Sequence, residues 1–125
     1  VRIDLARAPN EVALLPSMFS AIRNDGRGED DVVMVGLFQA DDAYLVPSLG
    51  VDAGAAAIKN RPTDLFGRYQ TSHILFDAAT TKEHLGGGGV HDYPRQQGLS
   101  RPQAEAVTSH LPVYAEFTAT EGGQL

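Results

Sequence analysis

The sequence predicts an α+β domain of two layers, a mixed β-sheet with helices on one face. Three observations carry that expectation. Val32-Val33-Met34-Val35-Gly36-Leu37-Phe38 is an unbroken apolar run of strand length. Val113, Ala115 and Phe117 alternate with Tyr114, Glu116 and Thr118, the period of a half-buried strand. Ser100-Arg101-Pro102-Gln103 spells a helix start, with a capping serine, a proline in the first turn and a glutamine three residues on. The predicted string is strand, helix, strand, strand, helix, helix, loop, helix, strand. Its 125 residues suit one core, so residues 1–125 read as a single domain.

Each element has its own reason. Val1-Arg2-Ile3-Asp4-Leu5-Ala6 alternates like a strand, and Pro9-Asn10 ends it. Pro16 opens a helix with Phe19 and Ile22 on one stripe, and Asn24-Asp25-Gly26 stops it. The apolar run at 32–38 reads as a central strand covered on both faces. Ala40-Asp41-Asp42 reads as a turn, and Tyr44-Leu45-Val46 as a strand that Pro47 ends or sets at a sheet edge. Asp52 caps a predicted alanine-rich helix over 53–59. Between 63 and 85, Leu65, Phe66, Tyr69, His73 and Phe76 recur every three or four residues, which favours helix over a strand at Ile74-Leu75-Phe76. The four glycines at 86–89 read as a surface loop or lid, because backbone entropy disfavours regular structure there.

Composition excludes several function classes. The chain is 42% hydrophobic and 21% charged, which argues against wholesale disorder. Ten basic against sixteen acidic residues leave a net charge of −6, so a general electrostatic grip on nucleic acid is disfavoured. Without cysteine there is no disulfide, thiolate zinc site or cysteine nucleophile, and the redox compartment is left open. No apolar run approaches the ~18–20 residues of a membrane span, and no signal-peptide pattern opens the chain.

The candidate chemistry is diffuse. Arg2 and Asp4, two residues apart on a strand, share a face and form either part of a pocket or a surface ion pair. Gln70 and His73 are neighbours if their segment is helical, and a histidine there is a candidate general acid or base. His84 and His91 flank the glycines beside Glu83 and Asp92, but their spacing matches no metal motif, so the expectation is loop residues and no metal. The glycine run lacks the strand, helix and Lys-Ser/Thr of a phosphate loop and reads as a hinge or linker.

Four collinear patches resemble the formaldehyde-activating enzyme family, which condenses formaldehyde with tetrahydromethanopterin. They are Val1-Arg2-Ile3-Asp4-Leu5, the strand at 32–38, Leu65-Phe66-Gly67-Arg68-Tyr69-Gln70, and Gly98-Leu99-Ser100-Arg101-Pro102-Gln103-Ala104-Glu105-Ala106 with the strand that follows. The resemblance implies a fold like the second domain of ribosomal protein S5. It also implies a cytoplasmic homo-oligomer, a pentamer, with active sites between subunits. The substrate it implies is a reduced pterin as co-substrate, and the reaction a carbon–nitrogen bond-forming lyase step in one-carbon metabolism, with neither metal nor redox cofactor. Asp4 and Gln70 carry over by position as catalytic residues, His73 or a loop histidine stands in for the missing histidine, with His73 assigned as catalytic, and Arg2, Phe66 and Tyr69 are assigned to substrate. Three departures mark a divergent relative. Arg2 occupies the place of the family's catalytic histidine, Asp41-Asp42-Ala43-Tyr44 replaces its lysine-proline stretch, and a glycine-rich insertion lies at about 80–98. The rival expectations are a non-catalytic oligomeric scaffold or binding protein of this fold, and a metal-dependent small-molecule enzyme using the loop histidines.

Overall fold

The computed structural model of the chain describes residues 1–28 and 30–120. It is an α+β protein with small antiparallel sheets. The N-terminal alternation produces only one parallel bridge, Arg2 to Leu37, held by Ile3 N donating to Leu37 O at 2.8 Å. Asp4 then stops the extension, because its carboxylate accepts Ala6 N at 3.0 Å and caps a 3-10 turn at Leu5–Arg7. Pro9 does not end a strand. It opens helix α1, Ala8–Val12, where its missing N–H is not needed. Helix α2, Leu15–Arg23, follows with Pro16 in its first turn and buries Leu15 and Phe19.

Strand β1, Val33–Leu37, forms where the apolar run predicts it, but it is not covered on both faces. Met34 is buried, while Val33 and Val35 are exposed on the other side. The next segment is helix, not strand: α3 covers Asp42–Ser48. Asp41 accepts Tyr44 N at 3.0 Å, Asp42 adds negative charge in the first turn, and Leu45 and Leu49, four apart, enter the core together. The alanine-rich stretch is not a helix either. It supplies strand β2, Gly54–Ala56, where a Cβ on Gly54 would stand 2.9 Å from Val46 O of α3.

The segment expected as a helix between 63 and 85 contains strand β3, Ser72–Asp77, the middle of the first sheet. It pairs antiparallel with β1 (Met34 opposite Leu75) and with β2 (Ala55 opposite Phe76). The glycine run is likewise a strand, β4, His84–Val90, rather than a loop. Gly88 explains why: a Cβ there would lie 3.0 Å from Ala57 O and 3.3 Å from Ala57 Cβ, so β4 comes this close to the first sheet only without a side chain. After helices α4, Tyr93–Gln96, and α5, Arg101–Glu105, strand β5, Val113–Phe117, pairs antiparallel with β4. The expected single mixed sheet is therefore two antiparallel sheets, β1-β3-β2 and β4-β5.

Both faces of β3 are used. On one side Leu75 joins Val12, Leu15, Phe19, Met34, Phe38, Leu45 and Leu49 in the core beneath α1, α2 and α3. On the other, the Phe76 ring meets Phe117 of β5 edge-on at 5.7 Å and His84 of β4 at 4.7 Å. Among the described residues no helix is long and apolar enough to cross a membrane.

Candidate functional site

The loop between β2 and β3 is fixed by two side chains. Thr63 Oγ1 accepts the amides of Thr71 and Ser72, both at 3.0 Å. Asp64 Oδ1 accepts those of Arg68 and Tyr69, at 2.7 and 3.0 Å. Between them Gly67 takes φ +70°, a conformation that glycine adopts without steric penalty. Facing this loop is the start of α5. The expected capping box forms, with Ser100 Oγ accepting Gln103 N and Gln103 Oε1 accepting Ser100 N. That cap directs Arg101 toward the loop, where its guanidinium lies 5.1 Å from the centre of the Phe66 ring.

Between loop and helix lies a cleft of about 380 Å³, with Arg61, Asp64, Asp92 and Arg101 around apolar Val90 and Leu111. Its volume falls in the range of small-molecule sites. Asp64 is only 8% exposed. Its Oδ1 is engaged by the loop, whereas Oδ2 has no hydrogen-bond partner among the described residues. A carboxylate oxygen with spare accepting capacity, on a cleft that Arg61 and Arg101 also line, can receive N–H donors from a ligand.

The residues singled out in the sequence do not all meet here. Phe66 reaches the cleft through Arg101, and Tyr69 is exposed nearby on the same loop. Arg2 is exposed at its bridge, and Asp4 is exposed with its carboxylate on Ala6 N. Gln70 is occupied at both ends, accepting Asp42 N at 3.0 Å and donating to Ile58 O at 2.9 Å, so it ties α3 to the end of the β2 segment. None of Arg2, Asp4, Gln70 and His73 lines the cleft. The missed residues are Arg61, Asp64, Asp92 and Arg101. The sequence did carry a signal for two of them: Asp-x-x-Gly at 64–67 is a side-chain-capped turn, and the capping box fixes where Arg101 begins its helix.

His73 is fully buried. Its Nε2 donates to Ala40 O at 2.7 Å, which fixes the tautomer because a carbonyl only accepts, and Nδ1 is sealed without a partner among the described residues. Burial lowers its pKa below the ordinary 6.5, outweighing the Ala40 bond and the charges of Asp42 and Asp41, which act the other way. The folded protein therefore takes up this proton at lower pH than the unfolded chain does. The corresponding stability is fully present above pH 6.5 and declines as pH falls from 6.5 toward the folded-state value. Urea titrations at a series of pH values should show a smaller acid-side loss in His73→Gln than in the native chain. Equal slopes would remove the assignment.

His84 opens β4 and His91 follows its last residue, seven steps of roughly 3.3 Å along the strand, too far to share one ion. The His84 ring lies between Phe76 and Phe117, and its Nε2 faces Gly87 O at 3.2 Å. Among the described residues no three histidine, aspartate or glutamate side chains group as metal ligands. No known protein family matches the chain, and no curated protein matches it.

Proposed function

We propose that the chain binds a small planar heterocycle, a reduced pterin first among them, in the cleft between the 61–67 loop and α5. The observation that carries this reading is the nearly buried Asp64 carboxylate with its unengaged Oδ2 on the cleft wall. A pterin presents an adjacent amino group and ring N–H, two donors that a carboxylate accepts. Arg61 and Arg101 offer planar cations that stack on a ring or hold an acidic tail.

The narrower version of the proposal is condensation of an aldehyde with that bound pterin, by a divergent relative of the formaldehyde-activating enzymes. It includes their ribosomal protein S5-like fold, a homo-oligomer with the site at a subunit interface, and a cytoplasmic setting. Two of the four resembling patches support it, since they supply Leu65, Gly67, Arg101 and Ala104 to the cleft. In such a reaction a pterin nitrogen attacks the aldehyde carbon. The carbinolamine then loses water to give an iminium ion. Holding the two reactants together supplies part of the acceleration, and the Asp64 carboxylate stabilises the developing cation.

Calorimetric titration with a tetrahydropterin tests the binding. Asp64→Asn keeps an oxygen for the loop amides while removing the charge, and is expected to weaken binding about tenfold, the scale of a hydrogen bond to a charged group. No saturable binding at millimolar ligand, or affinity unchanged from the native chain in both Asp64→Asn and Arg101→Gln, would overturn the proposal. Binding without faster formaldehyde consumption would leave a non-catalytic binding protein.

A further inference from the structure

A second cavity, of about 420 Å³, opens on the side of the molecule where the 78–84 segment passes β2. Its wall carries Lys59 and Lys82, the only lysines of the chain, together with Thr81 and His84. Its floor is apolar, formed by Phe76 and small alanines. In a protein of net charge −6, both lysines thus line one concavity. Among the described residues neither lysine forms an ion pair with a carboxylate. Two acids nearby are otherwise engaged. Asp42, which shares the adjoining cleft with Lys59, accepts Asn60 N at 3.0 Å, and Asp77 is held by Arg23 and the amides of Ala53 and Ala79.

The second observation is independent of charge. Thr81 is 3% exposed, and its Oγ1 is sealed from solvent with no hydrogen-bond partner among the described residues. A buried hydroxyl left unpaired costs about 1–3 kcal/mol and is explained when a ligand supplies the acceptor.

We propose that this cavity binds a phosphate or phosphonate monoester carrying a compact apolar body. Two ammonium groups balance a dianion. On binding, the Thr81 side chain turns its hydroxyl, sealed in the free protein, onto a third oxygen, a demand that a carboxylate with its single charge does not fill. The ester's apolar part lies on Phe76 and the alanines. This site is separate from the Asp64 cleft, so its fate does not depend on the reading given to that cleft.

Phenylphosphonate is the probe, titrated by calorimetry into the full chain, with benzoate and inorganic phosphate as comparisons. Phenylphosphonate is expected to bind more tightly than either. Thr81→Val should weaken it about tenfold, and Thr81→Ser should restore it. The Lys59→Gln/Lys82→Gln double variant should weaken it at least as much and flatten the dependence on salt. Thermal unfolding separates folding from binding, because Thr81→Val removes an unpaired donor and should leave the midpoint unchanged or higher. Failure of phenylphosphonate to saturate, equal affinity for benzoate or for inorganic phosphate, or unchanged affinity in the lysine double variant would each overturn the proposal.

Discussion

Phe38→Ala is expected to lower the unfolding free energy by roughly 3–5 kcal/mol, the range for emptying an aromatic core position. Phe38 is fully buried, at the end of β1, where its neighbours come from distant parts of the chain. Its ring meets His73 of β3 edge-on with centroids 6.0 Å apart, and it belongs to the cluster that holds α1, α2 and α3 to the sheet. Its amide donates to Thr71 O at 2.7 Å, so collapse of the site would also disturb the approach to β3. A domain of this size has ~5–15 kcal/mol of stability in all, so the variant sits near the folding threshold. Urea denaturation measures the loss, and a change under ~1 kcal/mol would show that Phe38 is not packed in this core.

Asp77→Ala is the second large effect, about 2–4 kcal/mol. The carboxylate is 1% exposed and makes three bonds. Oδ1 accepts the amides of Ala53 and Ala79, at 3.1 and 3.0 Å, and Oδ2 faces Arg23 Nη1 at 3.4 Å. The pair with Arg23 contributes the smaller share, because the arginine side chain is 28% exposed and its charge is screened. The larger share comes from the two amides, which fix the chain entering β2 and leaving β3. Asp77→Asn keeps the Oδ1 acceptor and should lose less than half as much as Asp77→Ala. Equal losses in the two variants would transfer the weight from the amides to the ion pair.

Parts of this architecture were legible along the chain, and the reasons differ by element. Helix α2 and the capping box of α5 are written in local chemistry, a proline in the first turn and a serine–glutamine exchange, which act over three or four residues. Helix α3 was legible in the same terms, since Asp41 is a strong N-cap, but the β-rich trio Tyr44-Leu45-Val46 and Pro47 pointed to a strand. For β3 the period misleads. With Leu75 against the helices and Phe76 under β5, both faces are apolar, and the alternation that marks a strand disappears. The glycines of β4 read as a loop because their entropy is a local quantity, whereas the close approach to Ala57 that makes them suitable arises only in the packed molecule.

The candidate sites follow the same division. Arg2 and Asp4 share a face only on an extended strand, and the Asp4 cap ends that strand. Gln70 and His73 looked like neighbours on a helix, yet the amide of one braces α3 and the ring of the other is sealed in the core. Arg61, Asp64 and Arg101 are separated by up to forty positions, and no periodicity links them.

The amino-acid order by itself determined the α+β class, the positions of β1, β5, α2 and α5, and the absence of thiol chemistry, because each depends on composition or on contacts within one turn. Only the tertiary structure decided that β3 is the central strand, that the glycines form β4, and that Asp64 faces Arg101 across a cleft. Those depend on which distant surfaces exclude water from one another, a property of the packed chain that no local window of sequence contains.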